Sequence, residues 1–120
     1  RSRRTATCSA RRHPDARFIL AHIGGGGDYM HTYHAVRDVA NVWLDTSGSG
    51  VDRGMLDRAL DAVGAGRIVW GCDLTICTGL AKLQALEVIG LSPDEMALVR
   101  WRNAARIFPE GSFPFVEARA

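Results

Sequence analysis

Two polar residues, His22 and Asp73, each follow an apolar run with the composition of a β-strand. His22 comes after the run at 17–21, and Asp73 comes after the run at 67–72. An imidazole and a carboxylate at the C-terminal ends of parallel strands can bind a divalent ion or exchange protons with a substrate. The pair therefore predicts a chemical site and, with it, a parallel α/β sheet.

Three further residues are candidate substrate contacts. Gly25 lies in the four-glycine run directly after His22, where missing side chains let a ligand approach the backbone closely. Thr46 and Ser47 follow a third strand-like run at 42–45, and their hydroxyls can donate hydrogen bonds. Plainer roles stay open for these positions: a hydrogen-bonded histidine ending a strand, an aspartate capping a helix, and an ordinary serine–glycine turn.

The candidate residues are spaced by a repeating pattern of elements. The strand-like runs begin at residues 17, 42 and 67, about 25 residues apart, which leaves room for one helix in each gap. Apolar periodicity predicts helices at 28–39, 52–63 and 80–89, and a capping box at Ser92 and Glu95 begins a last helix that runs to about Ile107. The resulting βα-βα-βα-α order predicts an α/β fold with a parallel sheet and right-handed crossovers.

Composition limits the possible function classes. The 120 residues are 47% hydrophobic and 23% charged with a net charge of +2, which argues against disorder. Five of the arginines fall in the first twelve residues, so the basic excess lies at one end and nucleic-acid binding is not expected. No run approaches the roughly 18 apolar residues of a membrane span. Three cysteines without a CxxC pair favour a reducing, cytoplasmic location.

The N-terminal residues differ from the rest of the chain. Residues 1–10 show neither a helical nor a strand period, so we expect a disordered leader or a cut into a longer protein. The remaining residues, 11–120, are expected to carry the ordered fold. Three strands leave two unpaired edges, and strands as apolar as these are poor edges, so a second copy or further chain should cover them.

Four segments in this order and spacing resemble the C-terminal part of the amidohydrolase superfamily. The resemblance is to its amidohydrolase-related branch, which holds aminocarboxymuconate-semialdehyde decarboxylase-like enzymes and lactone or amide hydrolases. The segments are His13-Pro14-Asp15 with Phe18-Ile19-Leu20-Ala21-His22-Ile23-Gly24-Gly25, then Asn41-Val42-Trp43-Leu44-Asp45-Thr46-Ser47-Gly48, then Gly64-Ala65-Gly66-Arg67-Ile68-Val69-Trp70-Gly71-Cys72-Asp73, and finally Asn103-Ala104-Ala105-Arg106-Ile107-Phe108.

This resemblance implies part of a TIM (β/α)8 barrel, namely its last three βα units and a C-terminal helix. It implies that Asp73 is the strand-eight aspartate, a metal ligand or general base, and that His22 binds the metal or activates the substrate carbonyl. The implied cofactor is a divalent metal, most often Zn²⁺, and the implied substrate is a small carboxylate, amide or lactone. The implied partner is the missing part of the barrel or a second copy.

Two readings compete with this one. The family's His-x-His pair does not occur in this chain, and His22 with Asp73 makes two ligands, whereas a catalytic zinc usually has three protein ligands and a water. The chain could therefore be a non-catalytic, self-associating α/β module. A weaker alternative is an open doubly wound domain that holds phosphate at the glycine run 24–27, at the N-terminus of the following helix.

Overall fold

Three parallel strands form one sheet in the order β1 (Phe18–Leu20), β2 (Val42–Asp45) and β3 (Ile68–Val69). This computed structural model describes residues 2–24, 29–48, 53–74, 76 and 79–112. Phe18 pairs with Val42 and Leu44 pairs with Ile68, so paired residues are 24 positions apart throughout. The constant offset confirms the predicted repeat of one strand and one helix, and the parallel α/β fold with it.

Six α-helices are described around the sheet, and their bounds follow in chain order. They are α1 (Ser2–Arg12), α2 (Tyr29–Val36), α3 (Arg53–Val63), α4 (Leu80–Ile89), α5 (Pro93–Ala97) and α6 (Asn103–Ile107). Short 3₁₀ turns occupy His22–Gly24 and Ala65–Arg67, and a π-helical turn at Leu98–Arg102 joins α5 to α6. The core includes Leu44 and Ile68 from the sheet, Tyr33 and Val36 from α2, and Leu56 from α3.

Three side chains tie the N-terminal ends of the strands to the rest of the fold. The Asn41 amide, just before β2, donates to the carbonyls of Ala10 and Ala16 at 3.0 and 2.9 Å. The Asn103 amide, fully buried, donates to the carbonyls on both sides of the β3 start, Ala65 and Ile68, at 2.7 Å each. These hydrogen bonds fix the N-terminal ends of the strands, opposite the C-terminal ends that carry the predicted site residues.

Arg67 is the third of these ties, and it caps the end of α2. Its guanidinium donates to the carbonyls of Val36 and Val39 at 2.9 and 2.7 Å and to that of Arg37 at 2.5 Å. Burial lowers the pKa of Arg67 from its ordinary value, and the charge of Asp38 partly offsets this. A cation is favourable here because the last carbonyls of a helix lack partners and carry partial negative charge.

The N-terminal segment differs from the expectation. Residues Ser2–Arg12 form a helix, and Ala10 is fully buried in the core. This helix differs from the disordered leader expected for residues 1–10, whereas the other expectation, a cut into a longer protein, stays a prediction. The boundary predicted between residues 10 and 11 falls inside this helix. Among the residues of this helix whose side chains are described, Ala10 is the one in the core cluster, and a single alanine is a weak signal of a buried helix face.

Other bounds shift by a few residues. β1 and β3 are shorter than the predicted runs 17–21 and 67–72, and Ile19 of β1 is 38% exposed. The capping box is confirmed: Ser92 accepts from the Glu95 N–H, and the Glu95 carboxylate accepts from the Ser92 N–H. The predicted first residues of two helices, Asp28 and Asp52, lie outside the described residues. Within the described residues, no helix is both long and apolar enough to cross a membrane.

Candidate active site

His22 and Asp73 lie beyond the C-terminal ends of β1 and β3, and their backbones share an unusual conformation. His22, Ile23 and Asp73 have φ of 59°, 51° and 59°, in the left-handed region that residues with a Cβ rarely adopt. They are the only non-glycine residues with positive φ in the described part of the chain. Such conformations cost about 1–3 kcal/mol each and concentrate at functional sites. Both residues predicted from the sequence, His22 and Asp73, therefore have a strained backbone.

A hydrogen-bonded chain links His22 to the end of β2. The hydroxyl of Ser47 donates to the Asp45 carboxylate, and the Ser47 N–H donates to the same carboxylate at 3.1 Å. The Oγ of Ser47 lies 3.3 Å from Nδ1 of His22 and accepts from the His22 backbone N–H at 3.4 Å. Sequence analysis placed Ser47 as a substrate contact. The structure brings it directly to the predicted imidazole.

Two glycines leave room for the hydrogen-bonded side chains of His22 and Asp45. A Cβ at Gly48 would lie 2.9 Å from Nδ1 of His22, and the φ of Gly48 is +99°, so only glycine fits. A Cβ at Gly71 would collide with the Asp45 carboxylate. The His22 imidazole therefore lies against the backbone of Gly48, and the Asp45 carboxylate lies against the backbone of Gly71.

Thr46 is buried beneath the site, with 1% of its surface exposed. Its hydroxyl donates to the Gly71 carbonyl and accepts from the Gly71 N–H, at 3.0 Å each. Its backbone N–H donates to the Val69 carbonyl at 3.0 Å. Thr46 thus extends the β2–β3 pairing past the end of β3 through its side chain. Contact with substrate, expected from the sequence, stays a prediction for this residue.

Lys82 of α4 is a buried cation next to the site that sequence analysis did not select. It is 2% exposed, and its Nζ donates to the carbonyl of Gly48. This bond holds the turn that carries Ser47. The one signal in the sequence is that Lys82 precedes Leu86 by four residues and so shares its helix face, but this spacing does not show that Lys82 lies next to the site.

Asp73 is half-buried, and β2 separates it from His22 in the sheet. Strands two places apart in a sheet lie about 10 Å from each other, so β1 and β3 bring the two residues to the same end of the sheet but not into adjacent positions. Among the described residues, no hydrogen bond joins Asp73 to His22. Gly25 lies outside the described residues. His31 and His34, the two histidines of α2, are exposed.

The donor set for a metal ion is incomplete in this part of the chain. Within the described residues, no group of three or more His, Cys, Asp or Glu side chains is placed to hold a metal. His22 has a suitable imidazole and Asp73 a suitable carboxylate, but a catalytic zinc usually needs three protein ligands. The described residues therefore do not fit a complete zinc site by themselves.

A groove of about 320 Å³ lies away from these residues, against α3 and the turn into α5. Asp57, Asp61 and Glu95 are among its lining residues. None of the candidate site residues that the structure describes lines this groove. Since Glu95 is already engaged by the capping box, we assign no chemistry to this groove.

The fold matches part of larger α/β barrel enzymes of known structure. An amidohydrolase from Burkholderia multivorans with bound zinc superposes with a TM-score of 0.69 at 20% identity, covering 88% of this chain and 48% of that one. The 5-carboxyvanillate decarboxylase from Sphingomonas paucimobilis gives 0.64 at 22% identity, covering 86% and 36%. The 2,6-dihydroxybenzoate decarboxylase from Rhizobium gives 0.63 at 19%, covering 81% and 36%.

These superpositions define the class of protein: the chain has the fold of part of a TIM barrel, and it spans less than half the length of each of these structures. No curated protein sequence matches it. The amidohydrolase family model matches residues 2–109, nearly the whole chain. The chain belongs to the amidohydrolase family, which confirms the resemblance read from its sequence segments.

Proposed function

We propose that this chain is the C-terminal portion of a metal-dependent hydrolase, in which His22 and Asp73 serve one active site. The supporting observation is the left-handed backbone at both residues, beyond the C-terminal ends of two parallel strands. Active sites of barrel enzymes are built at this face, from the loops that follow the strands. Family membership supports the same class of reaction.

In this proposal, Asp73 is the general base. Its carboxylate accepts the proton of a water molecule that attacks a substrate carbonyl, and it returns that proton to the leaving group. His22 polarises the carbonyl or contributes a metal ligand through the ring nitrogen Nε2. A bound Zn²⁺ would lower the pKa of a water molecule to near neutrality. The further ligands that zinc requires would come from the missing part of the barrel.

The proposed substrate is a small carboxylate, amide or lactone. Decarboxylation is an alternative reaction of the same site, because two of the similar structures are decarboxylases of aromatic acids. In that case Asp73 would deliver a proton to the substrate carbon rather than take one from water.

A second candidate function is a non-catalytic module that associates with its own copies. It is favoured by the incomplete donor set of the described residues and by the outer edges of β1 and β3, which pair with no described strand. Activity assays on the complete protein distinguish the two candidates. A self-associating module would turn over no substrate and would be larger than a monomer in solution.

The decisive variant is Asp73→Asn in the complete protein, with Asp61→Asn on the exposed face of α3 as the matched control. Both remove one carboxylate and preserve its shape. Turnover is measured on a panel of lactones, amides and hydroxybenzoates, with acid release and CO₂ release followed separately. We expect kcat to fall by about 10²–10⁴-fold for Asp73→Asn and to stay unchanged for Asp61→Asn. Near-normal turnover by Asp73→Asn would overturn the assigned role.

A further inference from the structure

The three-residue chain of Asp45, Ser47 and His22 has a definite hydrogen-bond direction. A serine hydroxyl has one proton to donate, and an ionised carboxylate can only accept. The Ser47 hydroxyl is directed at the Asp45 carboxylate, so its proton is committed there. The remaining capacity of Oγ is two lone pairs, which can only accept.

Both groups of His22 that face Ser47 must therefore be donors. The backbone N–H of His22 is one, at 3.4 Å from Oγ. The ring nitrogen Nδ1, at 3.3 Å, is the other. An unprotonated Nδ1 would set its lone pair against those of Oγ, which is repulsive. The contact is favourable only when Nδ1 carries the proton.

We propose that Ser47, oriented by Asp45, is a positioning residue that holds His22 in the Nδ1-protonated tautomer. Nε2 then carries the free lone pair, on an exposed ring beyond the end of β1. The atom that binds a cation or accepts a proton is therefore Nε2. The use of that atom in catalysis rests on the proposed function, whereas the tautomer itself does not.

The residues around Ser47 are consistent with this hydrogen-bond direction, from the Ser47 hydroxyl to the Asp45 carboxylate. Gly71 leaves space for the Asp45 carboxylate, and Gly48 leaves space for the imidazole. Lys82 anchors the turn through the Gly48 carbonyl, beside Ser47. Outer hydrogen bonds of this kind fix the tautomer and the orientation of the ring, and their loss typically costs about 10–100-fold in activity or metal affinity.

The test is nitrogen-detected NMR of the His22 ring in the complete protein, at a pH where histidine side chains are neutral. We expect a protonated Nδ1 and an unprotonated Nε2. Ser47→Ala should remove the Nδ1–H signature and lower kcat/KM by about 10–100-fold. Ser47→Thr, which keeps the hydroxyl, should restore both. Ser112→Ala, at an exposed serine far from the site in sequence, should change neither.

A second variant leaves every polar group of the chain in place. Gly71→Ala forces the Asp45 carboxylate to move, so Ser47 loses the acceptor for its proton. We expect the Nδ1–H signature to weaken as in Ser47→Ala. A retained signature in Gly71→Ala would overturn the role of Asp45.

The outcomes separate this inference from the proposed function. An Nδ1–H tautomer that Ser47→Ala abolishes supports the inference, even in a protein without hydrolase or decarboxylase activity. An active enzyme that depends on Asp73 but has the Nε2–H tautomer at His22 would overturn the inference and leave the proposed function standing.

Discussion

Replacing Thr46 by valine tests how the ends of β2 and β3 are joined. Valine keeps the branched shape and replaces the hydroxyl by a methyl group. In the structure that hydroxyl makes two hydrogen bonds of 3.0 Å, one with the carbonyl and one with the N–H of Gly71. Thr46 is 1% exposed, so no water can take the place of the lost hydroxyl on its side.

The expected cost follows from these two bonds. A buried polar group left without a partner costs about 1–3 kcal/mol. Because Gly71 is half-buried, part of this cost is recovered by solvent, and we expect the free energy of unfolding to fall by about 2–4 kcal/mol. Thr46→Ser keeps the hydroxyl and loses one buried methyl, which costs about 1 kcal/mol.

Urea unfolding of the complete protein measures the global effect, and hydrogen exchange at the Gly71 amide measures the local one. The valine variant should lose both stability and protection of that amide, and the serine variant should keep the protection. A valine variant of unchanged stability and unchanged exchange, but with a raised KM, would refute this reasoning. It would assign the hydroxyl to substrate, as the sequence suggested.

Two further predictions concern the scaffold. Arg67→Lys keeps the charge but loses the planar donors that reach the carbonyls at the end of α2. The free energy of unfolding should therefore fall by about 1–3 kcal/mol. The control, Arg106→Lys at an exposed site of α6, should leave it unchanged. Hydrogen bonds from the side chain and then the backbone of Ser92 hold the pKa of Glu95 below its ordinary value of 4.5. The stabilisation is therefore fully present above the unfolded-state pKa and is lost as the pH falls through the lower folded-state pKa. Glu95→Gln should flatten the decline of the melting temperature below about pH 4.5, and an unchanged decline would count against the capping box as its source.

Local patterns were sufficient for most of the architecture. Strand β2 was predicted with its observed bounds, because a short apolar run at 42–44 is followed at once by the turn-forming residues 45–50. The capping box at Ser92 was predictable because its two partners are three residues apart and need no tertiary contact. Helix α1 was missed because it contains no large apolar residue, only alanine and cysteine among serine, threonine and arginine, so its helical period is carried mainly by the arginines.

Some residues of the candidate site could be selected from the sequence, and others could not. His22 and Asp73 could be selected from sequence, since each follows an apolar run that had to be a strand. Lys82 could not be assigned to the site, because its partner carbonyl belongs to Gly48, which is 34 positions away along the chain. The contact exists only once α4 packs beside the turn that follows β2.

The sequence alone determined the parallel α/β repeat, the family, and which two polar residues end the outer strands, because hydrophobic spacing and short-range capping act within a few residues. Only the tertiary structure decided the state of those residues. The left-handed backbone at His22 and Asp73 is a property of the folded chain beyond the ends of β1 and β3. The hydrogen bonds that join Asp45, Ser47 and His22 require the ends of β1 and β2 to lie within hydrogen-bond distance. Residue spacing along one strand cannot specify that distance.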